Sequence, residues 1–457
     1  MQDFAVDWDQ QLIEKYNYAG PRYTSYPTAL EFHQGFGFFE FQQAARRYPE
    51  RPLSLYVHIP FCHKLCYYCG CNKIVTRHQD KADAYLDNLS CEMETMAPLF
   101  HQRRVTQLHW GGGTPTFLDE KQTRRLMGMI CHHFNIADDA EISIEVDPRE
   151  ITLDTMDVLA ELGFARLSLG IQDFNPKVQE AVNRVQDKAF IEALLQRARK
   201  VGFTSINLDL IYGLPHQTPD SFAKTLEEIK LLDPDRLSVF NYAHLPSHFA
   251  SQRKIKESDL PTPQQKLTIL RDTILNLTCS GYQFIGMDHF AHPNDSLAIA
   301  QRQGKLHRNF QGYTTQGECD LLGLGVSAIS MIGDDYSQNH KTLKAYYEQV
   351  GQSGHAQCKG LALTQDDIIR RDVIKALMCD FALDFATIEQ RFSLTFQDYF
   401  ADDLALLKPL IKDGLLELTA KGIYVSAAGR LLIRNIAMCF DTYFRSKVRE
   451  KQFSRVI

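Results

Sequence analysis

The chain has 457 residues, 44% hydrophobic and 23% charged, a composition that excludes disordered, collagen-like and coiled-coil classes. Its 50 Lys+Arg against 56 Asp+Glu leave a formal charge of −6, so no global basic field exists to hold nucleic acid or an anionic membrane. Residues 1–30 are acidic and aromatic with no apolar stretch, and the weakly polar run 321–333 is too short to span a bilayer. A cytoplasmic protein with neither a signal peptide nor a membrane or nucleic-acid partner is expected. At this length one core is not enough, so one large domain with smaller pieces is expected.

In chain order, residues 8–16 have a helical pattern. Gly20-Pro-Arg-Tyr-Thr-Ser-Tyr-Pro27 reads as an extended aromatic arm, so 1–50 forms an N-terminal helix and arm. From 53 to 243 short apolar strands (53–59, 107–110, 141–147, 166–172, 205–211, 236–242) alternate with amphipathic helices (82–97, 122–134, 153–162, 190–201, 221–232). Such βα units imply a parallel sheet with helices outside, within a domain that runs with its extension over 51–350. The extension contains a helix at 263–279 and a strand-like segment at 282–290; the polar stretch 351–360 reads as a linker. Residues 363–457 read as helices at 366–379, 385–391 and 397–413, a hairpin at 415–419 and 422–425, and a further helix. That order suggests a small, mostly helical, winged-helix-like domain. Its 14 Lys+Arg against 13 Asp+Glu lack the basic footprint of a DNA reader. The tail cations Arg445, Lys447, Arg449, Lys451 and Arg455 read as a solvated face.

Strand alternation separates a barrel from an open sheet, because successive side chains point to opposite faces. Ile142, Ile144 and Val146 oppose Glu141, Ser143, Glu145 and Asp147; Leu167, Leu169 and Ile171 oppose Ser168, Gly170 and Gln172; Leu208 and Leu210 oppose Asn207 and Asp209. A parallel sheet covered by helices on both faces is apolar on both. One apolar and one polar face imply an α/β fold: an incomplete (β/α)6 barrel with a wide polar lumen that a ligand fills. Polar groups also crowd the C-terminal strand ends, where parallel barrels keep their active sites.

Of the eleven cysteines, seven are single (Cys91, Cys131, Cys279, Cys319, Cys358, Cys379, Cys439) and read as buried reduced thiols. The other four form Cys62-His-Lys-Leu-Cys66-Tyr-Tyr-Cys69-Gly-Cys71. An odd total without a signal peptide argues for metal or redox chemistry rather than disulfides. Structural zinc would need a second ligand pair, and none follows. Three cysteines on one loop can hold three irons of a [4Fe–4S] cubane and leave the fourth open, with Cys71 either a fourth ligand or a neighbour. Gly323-Leu-Gly-Val-Ser-Ala328 fits a dinucleotide fingerprint but opens no βαβ unit near a chain start, so NAD or flavin binding is rejected.

Cys62-x3-Cys66-x2-Cys69 after the first barrel strand, followed by Gly111-Gly-Gly-Thr-Pro115, resembles the radical S-adenosylmethionine (SAM) enzymes. The Tyr-rich arm, Cys71, Glu145-Val-Asp-Pro148, Gly170-Ile-Gln-Asp173, Asp209-Leu-Ile-Tyr-Gly-Leu-Pro215 and Phe453-Ser-Arg-Val-Ile457 narrow the resemblance to the oxygen-independent coproporphyrinogen III oxidase family, over the whole chain.

The resemblance implies a [4Fe–4S] cluster on Cys62, Cys66 and Cys69, and a SAM-derived 5′-deoxyadenosyl radical. Two propionates of coproporphyrinogen III would become vinyls, giving protoporphyrinogen IX in heme biosynthesis. It assigns Tyr56, Gly112, Glu145 and Ile329 to the SAM on the cluster. Tyr68, Gly113, Thr114, Gln172, Arg184, Asp209 and Ala243 are assigned to a second SAM. A monomer served by an electron donor such as flavodoxin or ferredoxin is implied. Recognition of four propionates by a net-negative protein calls for local cations, and Arg22 in the aromatic arm is a candidate. The alternative within the superfamily is a heme chaperone that performs no oxidation; those relatives look shorter and lack the arm and the cysteine at position 71.

Overall fold

A computed structural model describes residues 5–446 and 455. The 453–457 motif, apart from Arg455, and the tail cations Lys447, Arg449 and Lys451 lie outside the described residues. The chain divides into two compact units assembled from interleaved segments. One comprises Phe32–Ile269 and Glu318–Ala362; the other comprises the segment ending at Glu31, Leu270–Gly317, and the segment from Leu363 onward.

The first unit contains the parallel strands β1 (Leu53–Ile59), β2 (Arg104–Gly112), β3 (Asn135–Val146), β4 (Arg166–Gln172), β5 (Ser205–Tyr212) and β6 (Arg236–Asn241), hydrogen-bonded in that order. On the far side of β1 the sheet continues through β7 (Asp320–Leu324), which is parallel to β1, and then through β8 (Ile329–Ile332), β9 (Asp335–Asn339) and β10 (Gln357–Ala362), all antiparallel. The sheet does not close on itself, as expected of an incomplete barrel. β7 to β10 were not anticipated as strands, and residues 351–360 are not simply a linker. These strands are short, and β7 and β9 are buried at every position, so no alternation marks them.

The helices facing the sheet are α1 (Asp80–Met96), α2 (Glu120–His133), α3 (Asp154–Glu161), α4 (Lys188–Val201) and α5 (Pro219–Leu232). Local chemistry sets their ends. Asp119 caps α2 by accepting from the Gln122 amide at 2.8 Å, and Thr218 caps α5 by accepting from Ser221 at 3.1 Å. Val57, Trp110, Leu169, Leu208 and Leu210 are fully buried on the helix-facing side, each burial stabilising by about 1.5–3 kcal/mol.

The single-cysteine reading needs correction. All eleven cysteines are free, but Cys91, Cys131 and Cys279 are exposed, while Cys319 and Cys379 are buried. The exposed three sit on outward helix positions that an apolar pattern alone does not distinguish.

In the second unit, Ala382–Asp384, Gly422–Val425 and Leu416–Leu418 form a three-stranded antiparallel wing among helices. The helix expected over 397–413 is broken into Phe396–Tyr399, Ala401–Leu406 and Lys408–Lys412; Pro409 has no N–H to donate to a continuous ladder. The segment 282–290 is a hairpin of Gln283–Gly286 and His289–Ala291, not one strand.

The fingerprint-like run 323–328 leads into strand β8, not a helix, which agrees with its rejection as a dinucleotide site. Instead, α1 holds it. Glu92, fully buried, accepts from the Gly325 amide at 2.8 Å, Asn339 Nδ2 at 2.7 Å and the Tyr346 hydroxyl at 2.6 Å. The Tyr85 hydroxyl accepts from the Val326 amide at 3.0 Å and donates to the His58 carbonyl at 2.6 Å. Glu92→Ala strands three buried donors and is expected to cost about 3 kcal/mol by urea unfolding, with Glu92→Gln milder. Equal stability of wild type and Glu92→Ala would refute the role given to this carboxylate.

Candidate active site

The polar faces of β1 to β6 meet in layers. Ser54 Oγ donates to Gln107 Oε1 (2.9 Å), and Gln107 Nε2 donates to Glu141 Oε1 (2.9 Å), which also leaves Glu141 to pair with Arg166. Further along the strands, His109 Nδ1 contacts Ser143 Oγ at 2.7 Å, and the Tyr56 ring stacks on His109 with centroids 5.9 Å apart. Toward β6, Ser238 Oγ donates to Asn207 Oδ1 (3.1 Å). Asn207 Nδ2 donates to Asp209 Oδ1 (2.8 Å), and Ser168 Oγ donates to Asp209 Oδ2 (3.1 Å). The alternation read from the sequence is therefore a hydrogen-bonded polar wall.

At its C-terminal rim stands the cysteine loop. Cys62 and Cys66 are buried, Cys69 is half-buried and Cys71 is exposed. Cys62 Sγ lies 3.4 Å from Thr114 Oγ1, and burial, more than any charge, pushes its thiol up to about 11. The Cys69 thiol is drawn down to about 6, chiefly because the Cys71 thiol donates to it, with Lys73 adding positive charge. Cys71 moves the other way for the same reason.

Cys66 receives two guanidinium groups, Arg149 Nη2 at 3.2 Å and Arg184 Nη1 at 3.4 Å. Both arginines also grip Asp147, at 2.6 and 3.2 Å. Burial raises the Asp147 carboxyl, but Arg184 and Arg149 outweigh it and hold the group well below the usual carboxylate range. Arg184 Nη2 and Nε additionally donate to the Gly170 carbonyl at 2.7 and 3.1 Å. The donors of Arg184 thus brace the loop against β3 and β4.

The glycine turn after β2 requires its glycines. Gly112 has φ +116°, and a Cβ there would lie 2.6 Å from the His58 ring; a Cβ on Gly113 would lie 2.7 Å from the Pro60 backbone. The Gly112 amide donates to Glu145 Oε2 at 3.2 Å, and His109 Nε2 is 3.5 Å from Glu145 Oε1. Burial raises the Glu145 carboxyl, yet His109 and the Gly112 amide lower it further, so it is held anionic. Gln172 Oε1 is buried without a partner. Gln252, itself buried, donates to the carbonyls of Tyr68 (2.9 Å) and Ala243 (3.2 Å), joining the loop to the segment after β6. Ile329 opens β8.

The structure therefore brings Tyr56, Gly112 and Glu145 together, gathers Cys66, Arg184 and Asp147, and links Tyr68 to Ala243. Arg22 belongs to the other unit, where it pairs with Asp288. Sequence reading missed Arg149, His109 and Gln252 as site residues. The position of His109 on the alternating polar face of β2 was a usable signal; Arg149 and Gln252 had none.

Residues 56–229 match the Radical SAM superfamily, and residues 363–432 match the HemN C-terminal domain. The chain is 68% identical, over 99% of both chains, to an oxygen-independent coproporphyrinogen III oxidase of Escherichia coli (strain K12). It is 52% identical, again over 99% of both, to one of Pseudomonas aeruginosa. The chain belongs to the oxygen-independent coproporphyrinogen III oxidase family. A solved structure of the Escherichia coli coproporphyrinogen III oxidase (HemN), described as a radical SAM enzyme, superposes with a TM-score of 0.93 at 65% identity, covering 96% of this chain and 100% of that one.

This family's cofactors are a [4Fe–4S] cluster and SAM, and the residues present fit them. Three soft thiols share one loop, the glycine turn is open to close approach, and anionic and unpartnered polar atoms line the lumen. Among the described residues no three His, Cys, Asp or Glu side chains converge at metal-ligand spacing. A cubane takes each thiolate on a different iron, so its ligands need not converge on a single ion.

Asp209 offers a pH test. Burial, aided by the Glu145 charge, pushes its carboxyl up to about 6 despite the bonds from Asn207, Ser168 and Ser238. A carboxyl raised on folding binds extra protons in the folded state, so its contribution to stability falls as pH rises from about 4 to about 6. Wild type should lose stability relative to Asp209→Asn across that interval, measured by urea unfolding at stepped pH. Parallel curves would show Asp209 to be unshifted.

Proposed function

We propose that this chain carries out the anaerobic oxidative decarboxylation of coproporphyrinogen III to protoporphyrinogen IX. Each of two propionates loses CO2, one hydrogen atom from its β-carbon and one electron to an acceptor, leaving a vinyl group. The observation that carries this reading is the cysteine loop at the rim of a polar half-barrel, in a chain matched end to end by coproporphyrinogen III oxidases. When bound, the cluster and SAM would supply the 5′-deoxyadenosyl radical that takes that hydrogen atom.

The chain's own residues hold, orient and shield. Cys62, Cys66 and Cys69 would carry the cluster, and Arg149 and Arg184 place positive charge beside the Cys66 sulfur. Glu145, kept anionic, is able to accept from the ammonium of the SAM on the cluster. Tyr56, Gly112 and Ile329 would complete that site. Tyr68, Gly113, Thr114, Gln172, Arg184, Asp209 and Ala243 would hold the second SAM. Thr114 and Arg184 would do so with donors that now face Cys62 and Cys66. Arg22 would meet a substrate carboxylate from the aromatic arm. We further infer a monomer that works in the cytoplasm and takes electrons from a small donor such as flavodoxin or ferredoxin.

The reading is tested by anaerobic turnover of coproporphyrinogen III with SAM and a reductant. Loss of two CO2 by mass, with 5′-deoxyadenosine formed, is expected; stable heme binding without turnover would favour the chaperone instead. Cys62→Ser, Cys66→Ser and Cys69→Ser should each lose cluster iron, because a hydroxyl is a far poorer ligand than a thiolate. Cys71→Ser should keep it, and the reverse pattern in an iron assay would overturn the ligand assignment. Glu145→Ala should weaken SAM binding roughly tenfold or more with the cluster intact, by the loss of one charge-assisted hydrogen bond. An unchanged dissociation constant would remove Glu145 from the site.

A further inference from the structure

Arg149 lies in the single turn Pro148–Glu150 that follows β3, in the same unit as the cysteine loop. Its side chain is only 4% exposed. Nε and Nη2 hold Asp147 at 2.9 and 2.6 Å, Nη1 donates to the Asn183 carbonyl at 3.0 Å, and Nη2 also donates to Cys66 Sγ at 3.2 Å.

The bond to Cys66 is not what places the sulfur. On one side of Cys66, Asn183 Nδ2 donates to the Leu65 carbonyl at 2.7 Å; on the other, the Tyr67 amide donates to the Val182 carbonyl at 3.0 Å. Asp147 also has a second anchor in Arg184, at 3.2 Å. Loop and carboxylate are thus held without Arg149. What Arg149 adds is a buried guanidinium N–H aimed at a ligand sulfur. Arg184 is the other such donor, at 3.4 Å, but it is assigned to the second SAM. The neighbouring thiols have different surroundings: Cys62 Sγ faces the Thr114 hydroxyl at 3.4 Å, and Cys69 faces the Cys71 thiol with the Lys73 ammonium nearby.

Reduction adds one negative charge to an iron–sulfur cluster. A hydrogen bond and a positive charge at a ligand sulfur stabilise the reduced form more than the oxidised one, and so raise the potential. Burial keeps that charge from being screened by salt. With Arg149 the trio carries two guanidinium groups against one carboxylate; without it the trio is neutral beside the sulfur. We propose that Arg149 is a positioning residue that acts through the Cys66 sulfur to raise the reduction potential of the cluster. The cluster gains one electron and the low-potential donor loses one; Arg149 makes that transfer easier. This role rests on the assignment of Cys66 as a cluster ligand.

The test is an anaerobic redox titration of the cluster-loaded protein, followed by the EPR signal of the reduced cluster. Wild type is compared with Arg149→Met, Arg149→Lys and Asp147→Asn. Arg149→Met should move the reduction equilibrium roughly tenfold toward the oxidised cluster, about 59 mV lower for one electron, with iron content as in wild type. Arg149→Lys, which keeps the charge, should recover part of the shift. Asp147→Asn keeps an acceptor but removes the negative charge, so its potential should move up. A cluster-loaded Arg149→Met at the wild-type potential would overturn the role, as would a lysine variant no better than methionine or an Asp147→Asn that does not rise. If Arg149→Met loses its iron, the direction of the Asp147→Asn shift decides. Loss of iron from both would show the trio to be a scaffold for the loop and overturn the tuning role. Full iron in Cys66→Ser would remove Cys66 from the ligand set, a failure of the underlying assignment that is distinct from an unshifted potential.

Discussion

Asp147 sits where strand, arginine pair and cysteine loop meet, and the arrangement of the site depends on it. Its carboxylate binds Arg149 and Arg184, and both guanidinium groups reach Cys66. Arg184 also ties to the Gly170 carbonyl, so the cysteine loop is fixed to two strand ends by one buried charge cluster. Removing one partner from a buried cluster of this kind costs about 3–5 kcal/mol, because the remaining charges stay buried and uncompensated. The net positive charge of the trio, two guanidinium groups against one carboxylate, lies beside a sulfur that must serve as a thiolate ligand.

The same logic extends across the lumen. A closed eight-strand barrel fills its interior with branched side chains, whereas here Ser54, Gln107, Ser143, Ser168, Asn207 and Asp209 bond laterally from strand to strand. A wall that satisfies its own polar groups tolerates water or a polar ligand equally. What marks the rim for a cofactor is the set of groups left over: Glu145 held anionic and the unpartnered Gln172 Oε1.

Much of this was legible in the sequence because period-2 alternation and cysteine spacing are local signals. β1 to β6, their helices and the polar face of each strand follow from residues such as Ile142, Glu145, Leu167 and Asp209. β7 to β10 did not: β7 and β9 are buried at every position and carry no alternation, and β8 and β10 are only four and six residues long. Long-range contacts were equally invisible. Arg149 has no motif of its own, Glu92 reads as an ordinary helix carboxylate until Gly325 and Asn339 fold onto it, and Gln252 gains meaning only beside Tyr68 and Ala243. The two units, which interleave along the chain, could not be drawn as consecutive blocks.

The central claim is that a loop of three thiolates leaves one iron of the cluster open to SAM. Mössbauer spectroscopy of the anaerobic, cluster-loaded protein with and without SAM tests it most directly. The account predicts that SAM shifts the spectrum of one iron site and leaves the other three in place, in wild type and in Cys71→Ser alike. Four iron sites that do not respond to SAM, or a cluster that disappears with Cys71→Ser, would contradict it.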